Sequence, residues 1–312
     1  MSSAMKKNSK AAILLSTFNG AEFLSEQLNS LVNQSHSDIE IFVRDDGSVD
    51  ETIEIIEVYK NRCKNIHLVK GENIGFIKSF FELLRISGNE FDYYFFCDQD
   101  DVWLENKVSR AICLLSEIDA DKPSLYFSRL QFVDKELNFL RMSDIYEKRN
   151  IGFGNAMVQN IATGCSVCFN KKARYLVTEN EFPDNCLAHD WWMYLVVSCF
   201  GKVVFDEESF ILYRQHGKNT IGMSATGFFS YFKRGRKFLK NRKKFGIIDQ
   251  MQIFFSIYKN HLLPRTLKNV EEFCNVRNRW RNSFTVGFRR FYWRVLPVDS
   301  IFLRIFIIFR MY

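Results

Sequence analysis

No stretch of this chain is apolar over the roughly eighteen consecutive residues that a membrane span needs. Ile301 to Phe309 is strongly apolar, but it is short and Arg304 breaks it. Proline is scarce at four residues and glycine modest at fifteen, which excludes a collagen-like or low-complexity chain. The eight cysteines are scattered, and the C-x-x-C of Cys165 and Cys168 has no second pair or histidine cluster at zinc-finger spacing. They read as small packing residues. Neither G-x-G-x-x-G nor G-x-x-x-x-G-K-[ST] occurs, so a dinucleotide-binding Rossmann domain and a P-loop nucleotide triphosphatase are disfavoured. No internal repeat is visible. No secretory leader is found at the N-terminus, and a reducing cytoplasm is the expected compartment.

What is present is an ordinary globular balance, 47% apolar and 25% charged, with an unusual 32 phenylalanines. A length of 312 residues fits two modest domains, or one large domain with an extension. The net charge of +7 is unevenly placed. Ser224 to Tyr312 holds 19 Lys and Arg against 4 Asp and Glu, a balance of +15, which leaves −8 for residues 1–223. A catalytic domain with a basic, Phe-rich helical tail has that split. The expected organisation is a loose segment 1–10, a ligand-binding half 11–120, a second half 121–223 and the basic region 224–312.

Short apolar runs predict strands over Ala11–Leu15, Ile39–Val43, Ile66–Val69 and Tyr93–Cys97. Helical spacing follows each of the first three, at Ala21–Val32, from Thr52, and over Phe76–Ile86. Such alternation predicts an α/β fold with a mostly parallel central sheet and flanking helices. Further on, a helix is expected over Lys107–Ile118, a strand over Ser124–Val133, a loop over the site at 140–155 and a strand over Ile161–Phe169. A helix from Lys171, a helix from His189 to Cys199, and two separate strands at Lys202–Phe205 and Phe210–His216 complete this part. Each of the first strands ends in Gly, Ser, Thr, Asn or Asp, which makes one edge of the sheet a polar ligand site.

The fourth run stops at Asp98-Gln99-Asp100-Asp101. Carboxylates this close raise each other's pKa unless a cation sits among them. A hard divalent ion shared with substrate phosphates is the natural occupant; an acidic turn capping the next helix is the plainer alternative. Asp45-Asp46-Gly47-Ser48 can offer a carboxylate to a base or ribose, or be a simple turn. Ser16-Thr17-Phe18-Asn19 can offer hydroxyls and an aromatic face, or merely join strand to helix. Asp190 in His189-Asp190-Trp191-Trp192 is either an N-cap or a base whose pKa a dry, aromatic setting lifts. Trp191 and Trp192 offer faces for sugar C–H groups. His216 is either structural or a metal ligand.

In order, Ser-Thr-Phe-Asn-Gly, Asp-Asp-Gly-Ser, Asp-Gln-Asp-Asp-Val-Trp, His-Asp-Trp-Trp and Tyr-Arg-Gln-His-Gly-Lys-Asn resemble bacterial glycosyltransferase family 2 over about residues 11–222, and within it the rhamnosyltransferase-like members. The resemblance implies a GT-A fold and an inverting transfer from a nucleotide sugar. It implies donor contacts from Ser16, Thr17, Phe18, Asp45, Asp46 and Asp98. It further implies a Mg²⁺ or Mn²⁺ site at Asp98, Asp100 and His216, Asp190 as catalytic base, and Trp191 and Trp192 beside the acceptor. The implied donor is dTDP-rhamnose, with a UDP-hexose second. The implied acceptor is a glycan or a polyprenyl-diphosphate-linked sugar in surface polysaccharide synthesis. The Q-x-x-R-W motif of processive synthases is absent, which points to single additions. The basic region can dock on the anionic inner leaflet or pack on the catalytic domain through its phenylalanines. RNA binding by the Arg- and aromatic-rich stretch near Trp280–Trp293 lacks an accompanying motif, and no nucleic-acid partner is expected. Nucleotidyl transfer lacks a basic triphosphate loop at Ser16–Gly20.

Overall fold

The computed structural model describes residues 9–180, 182–183, 185–216, 246–278 and 280–310. The chain divides into two compact units. The first contains residues up to 148 with 160–184 and 188–216, and the second contains 149–159, 185–187 and 217–312.

In the first unit, β1 (Ala11–Thr17), β2 (Ile39–Asp45), β3 (Ile66–Lys70) and β4 (Tyr93–Cys97) form the expected parallel ladders, with β1 between β2 and β4. The first five residues of β1 are wholly buried, the pattern of a parallel strand covered on both faces. One cover is α1 (Ala21–Val32), α2 (Thr52–Arg62) and α4 (Lys107–Ser116), whose Leu24, Leu28, Ile56 and Val108 join Ile13, Leu15 and Phe95 in one core. On the other face Phe80 of α3 (Phe76–Ile86) meets Phe96 edge-on.

The sheet continues β4, β8, β6, β9, β5. Here β5 is Val102–Trp103, β6 Ser124–Val133, β8 Cys168–Asn170 and β9 Lys202–Arg214. β8 runs antiparallel between β4 and β6, while β6 and β9 are parallel. Three local expectations need correction. Residues 140–142, expected in a loop, belong to β7 (Phe139–Met142), paired to β6 after an Asp134-centred turn. The strand expected over Ile161–Phe169 is largely a 3₁₀ turn at Gly164–Ser166, closed by Ser166 N donating to Thr163 O, and only Cys168–Asn170 pairs. The two strands expected after Lys202 are one. The polar Asp206-Glu207-Glu208 stays in it because Asp206 accepts from Arg110 and the Tyr126 hydroxyl, with a bulge opposite Ser128–Gln131. The remaining helices are α6 (Lys171–Thr178) and α7 (His189–Phe200).

The second unit is helical. It contains a single turn α5 (Phe153–Ala156), then α8 (Ile247–Tyr258), α9 (Pro264–Cys274), α10 (Trp280–Phe288) and α11 (Pro297–Ile308). Residues 153–155 fall in the loop expected at 140–155; here a Cβ on Gly154 would lie 2.1 Å from the Trp293 ring, so only glycine admits that tryptophan. The helical character expected beyond residue 224 holds from Ile247 onward; residues 217–245 lie outside the described ones. No helix among the described residues is long and apolar enough to cross a membrane.

Candidate active site

The carboxyl ends of β1, β2 and β4 share one sheet edge, because Thr17 pairs with Asp45 and Leu15 with Cys97. Strand order turns at β1, with β2 to one side and β4 to the other. Such a switch point opens a crevice for a ligand. The loops there are tied together by side chains. Gln99 clamps the Phe18 peptide, accepting from its N–H at 2.8 Å and donating to its carbonyl at 3.1 Å. A Cβ on Gly20 would lie 2.2 Å from the Gln99 carboxamide oxygen, so the clamp needs that glycine. Asn19, at φ 47°, accepts from Val49 N at 2.9 Å and donates its own N–H to Ser48 Oγ.

The expected donor residues fall into two groups. Asp45 is fully buried and accepts from the Thr17 hydroxyl, Gly47 N, Ser48 N and the Ser48 hydroxyl. Thr17 is equally buried. The polar side-chain atoms of these two residues, expected at the donor, hold the turn. Asp46 is also buried; its carboxylate accepts from the Arg44 guanidinium and from Ile74 N and Gly75 N, both at 2.9 Å. Ser16 is half-buried and donates to the Ser79 hydroxyl, and Phe18 exposes its ring.

The acids after β4 differ from one another. Asp98 is half-buried, and burial with the neighbouring Asp100 and Asp190 charges pushes its carboxyl up to about 8. Asp100 Oδ2 lies 2.7 Å from His216 Nε2. Asp101 is fully buried, accepts from Arg214 N at 3.1 Å, and is raised well above the carboxylate range by burial, Asp100 and Asp98. Ligand atoms of Asp98, Asp101 and Cys165 lie within 4.8 Å of one another. Clustered carboxyls beside an imidazole are a donor set that a divalent cation fits, since its charge would relieve their repulsion.

Asp190 stands in the first turn of α7 and is buried. Its carboxylate accepts from Gly164 N at 2.8 Å and Trp191 N at 2.6 Å, and burial raises it to about 6. The 3₁₀ turn that replaces the expected strand supplies the first of these donors. Asp98, Asp100 and Asp190 therefore share one electrostatic cluster. Trp191 is half-buried, but Trp192 is only 1% exposed. Trp192, expected beside the acceptor, has its indole carried inward, because one helical residue is a turn of about 100°.

Four residues with no role in the sequence reading hold this site. Arg214 is fully buried; its Nε donates to Asp100 O at 2.9 Å, and its guanidinium reaches Lys135 O and Glu26 and covers the Phe23 ring. Arg44 grips Asp46 and Glu72 O. His189 stacks on Phe80 with 3.8 Å between centroids, and burial drops its ring to about 3. Lys107 is buried over the Trp103 ring at 3.8 Å, lowered by burial to about 8. Arg214 and Arg44 carried a signal, each as a charged residue ending an apolar strand run.

Residues 12–175, just over half of the chain, match the family described as Glycosyl transferase family 2. The dTDP-rhamnosyl transferase RfbG of Shigella flexneri is 28% identical over 240 residues, covering 70% of this chain and 77% of that protein. The uncharacterized glycosyltransferase alr2836 of Nostoc sp. is 27% identical, over 70% and 68% of the two chains. Among solved structures, S. aureus TarS 1-349 in complex with UDP-GlcNAc aligns with a TM-score of 0.59 at 15% identity, covering 96% of this chain and 81% of that one. Mannosyltransferase PcManGT from Pyrobaculum calidifontis, with GDP-Man and Mn²⁺, aligns at 0.55 and 14% identity, covering 91% and 74%. The fold is the expected GT-A architecture with C-terminal helices.

Proposed function

The chain belongs to glycosyl transferase family 2, and from that premise we propose that it moves L-rhamnose from dTDP-rhamnose, with inversion, onto a glycan or polyprenyl-diphosphate-linked acceptor. The observation that carries this reading is a buried Asp190 held by Gly164 N and Trp191 N, together with an Asp100–His216 pair, with the charges of Asp100 and Asp190 both acting on Asp98. It links the acids that follow β4 to a carboxylate that burial raises to about 6.

Asp190 takes the proton from an acceptor hydroxyl, whose oxygen bonds to the anomeric carbon as the bond to the diphosphate breaks. A carboxylate of that pKa is ionised at neutral pH yet basic enough to assist. Gly164 N and Trp191 N orient it. Asp98, Asp100 and His216 would hold Mg²⁺ or Mn²⁺, which supplies Lewis-acid stabilisation of the departing diphosphate. Ser16 and Phe18 would meet the nucleoside, and Trp191 the acceptor sugar. A lipid-linked acceptor would set the enzyme to work at the cytoplasmic face of the plasma membrane, in the synthesis of a surface polysaccharide such as O-antigen or capsule.

The rhamnosyl donor rests on the similarity to RfbG. A UDP-hexose is the second reading, favoured by the UDP-GlcNAc complex of the TarS structure. A thermal-shift panel of nucleotide sugars with and without Mn²⁺ separates them. Stabilisation by dTDP-rhamnose above all others supports the first; a larger shift with a UDP-hexose replaces it with the second. No metal-dependent shift with any nucleotide sugar would sink both.

A further inference from the structure

We propose that the outward faces of α10 and α11 form a docking surface for an anionic lipid bilayer. In α11, Leu303 and Ile307 are buried, whereas Val298, Ile301, Phe302, Ile305 and Phe309, just past its end, are exposed, Phe309 by 69%. At helical spacing these five fall within an arc of about 100°. The helix is thus apolar on its solvent side as well as its packed side, a pattern otherwise found in cores. On α10, Trp280, Phe284 and Phe288 follow at every fourth residue and are 55–68% exposed. The two helices pack closely: a Cβ on Gly287 would lie 2.3 Å from Ile308.

Charge chooses the occupant. Trp280 to Tyr312 carries six arginines and one acid, Asp299. Arg281, Arg290 and Arg310 are exposed on or beside these helices. A second copy of this chain would set arginine against arginine. Anionic headgroups would instead pair with the arginines while the Trp, Phe and Ile side chains enter the acyl boundary, as in interfacial helices. This deepens the proposed function by bringing the enzyme to a lipid-linked acceptor, but it is read without donor or acceptor, so either can fail alone.

The test is flotation of the full chain with phosphatidylcholine vesicles and with mixed phosphatidylcholine–phosphatidylglycerol vesicles. The protein floats with the mixed vesicles, less so at high salt, and not with the neutral ones. Ile301→Glu/Ile305→Glu removes flotation. Arg281→Gln/Arg290→Gln weakens it about 25-fold, at about fivefold for each arginine lost, with circular dichroism unchanged. Equal flotation on neutral vesicles overturns the proposal. So does wild-type flotation by the arginine variant, which decides the matter if the isoleucine variant does not fold. A dimer that the isoleucine variant breaks, with no flotation by wild type, assigns the face to a second copy instead.

Discussion

His216 Nε2 lies 2.7 Å from Asp100 Oδ2 although 116 residues separate them. The contact joins the chain just past β9 to the loop after β4, and Arg214 reinforces it by donating to Asp100 O. Under the proposed cation site, Asp100→Ala abolishes Mn²⁺-dependent binding of a nucleoside diphosphate. His216→Ala weakens it at least about 10-fold, since losing a ligand costs no less than losing a group that supports one. Calorimetry with and without Mn²⁺ reads both; equal affinities in wild type and the Asp100 variant refute the assignment.

Asp190→Asn keeps donor binding and lowers turnover by about 10²–10⁴-fold, the usual worth of a general base. The wild-type kcat/KM falls as pH drops through about 6, where burial has raised the Asp190 carboxyl, because the protonated acid cannot accept a proton. The asparagine variant loses that acid limb. A variant that keeps both rate and limb removes Asp190 from the chemistry.

Arg44 and Asp46 form a buried ion pair, and a Cβ on Gly71 would lie 2.5 Å from the guanidinium. Arg44→Met alone leaves a buried carboxylate without its cation and costs about 3–5 kcal/mol. Arg44→Met/Asp46→Asn costs less than the two single changes added together. Urea unfolding of all four proteins measures the coupling; strict additivity would show that the pair does not act as a unit.

His189 is held neutral, its ring dropped to about 3 by burial, whereas an unfolded histidine titrates near 6.5. The unfolded chain therefore binds the extra proton between those values. His189 thus withdraws stability as pH falls through this window, by up to about 1.4 kcal/mol per pH unit. The raised carboxyls of Asp98 and Asp190 act in the opposite sense, so the test is a difference. His189→Phe, which matches the Phe80 stack, loses less stability than wild type between pH 6.5 and 4 in urea melts. Parallel curves count against a buried neutral imidazole.

The sequence alone determined the parallel half of the sheet and its acidic edge. Runs such as Ala11–Leu15 and Tyr93–Cys97 announce covered strands because apolarity and length are local properties, and Asp98 to Asp101 must leave the sheet where the run stops. Tertiary structure decided which of those groups are available for chemistry. Asp45 and Thr17 look like ligands in the sequence and are consumed in a buried turn. Trp191 and Trp192 look alike, yet helical rotation buries only the second completely. Lys107 reads as a surface residue, and the packing of α4 places it in the core. The convergence of Asp190 and His216 on the acid cluster depends on long-range packing, because the side chains that meet there come from distant parts of the chain, and no local pattern encodes that meeting.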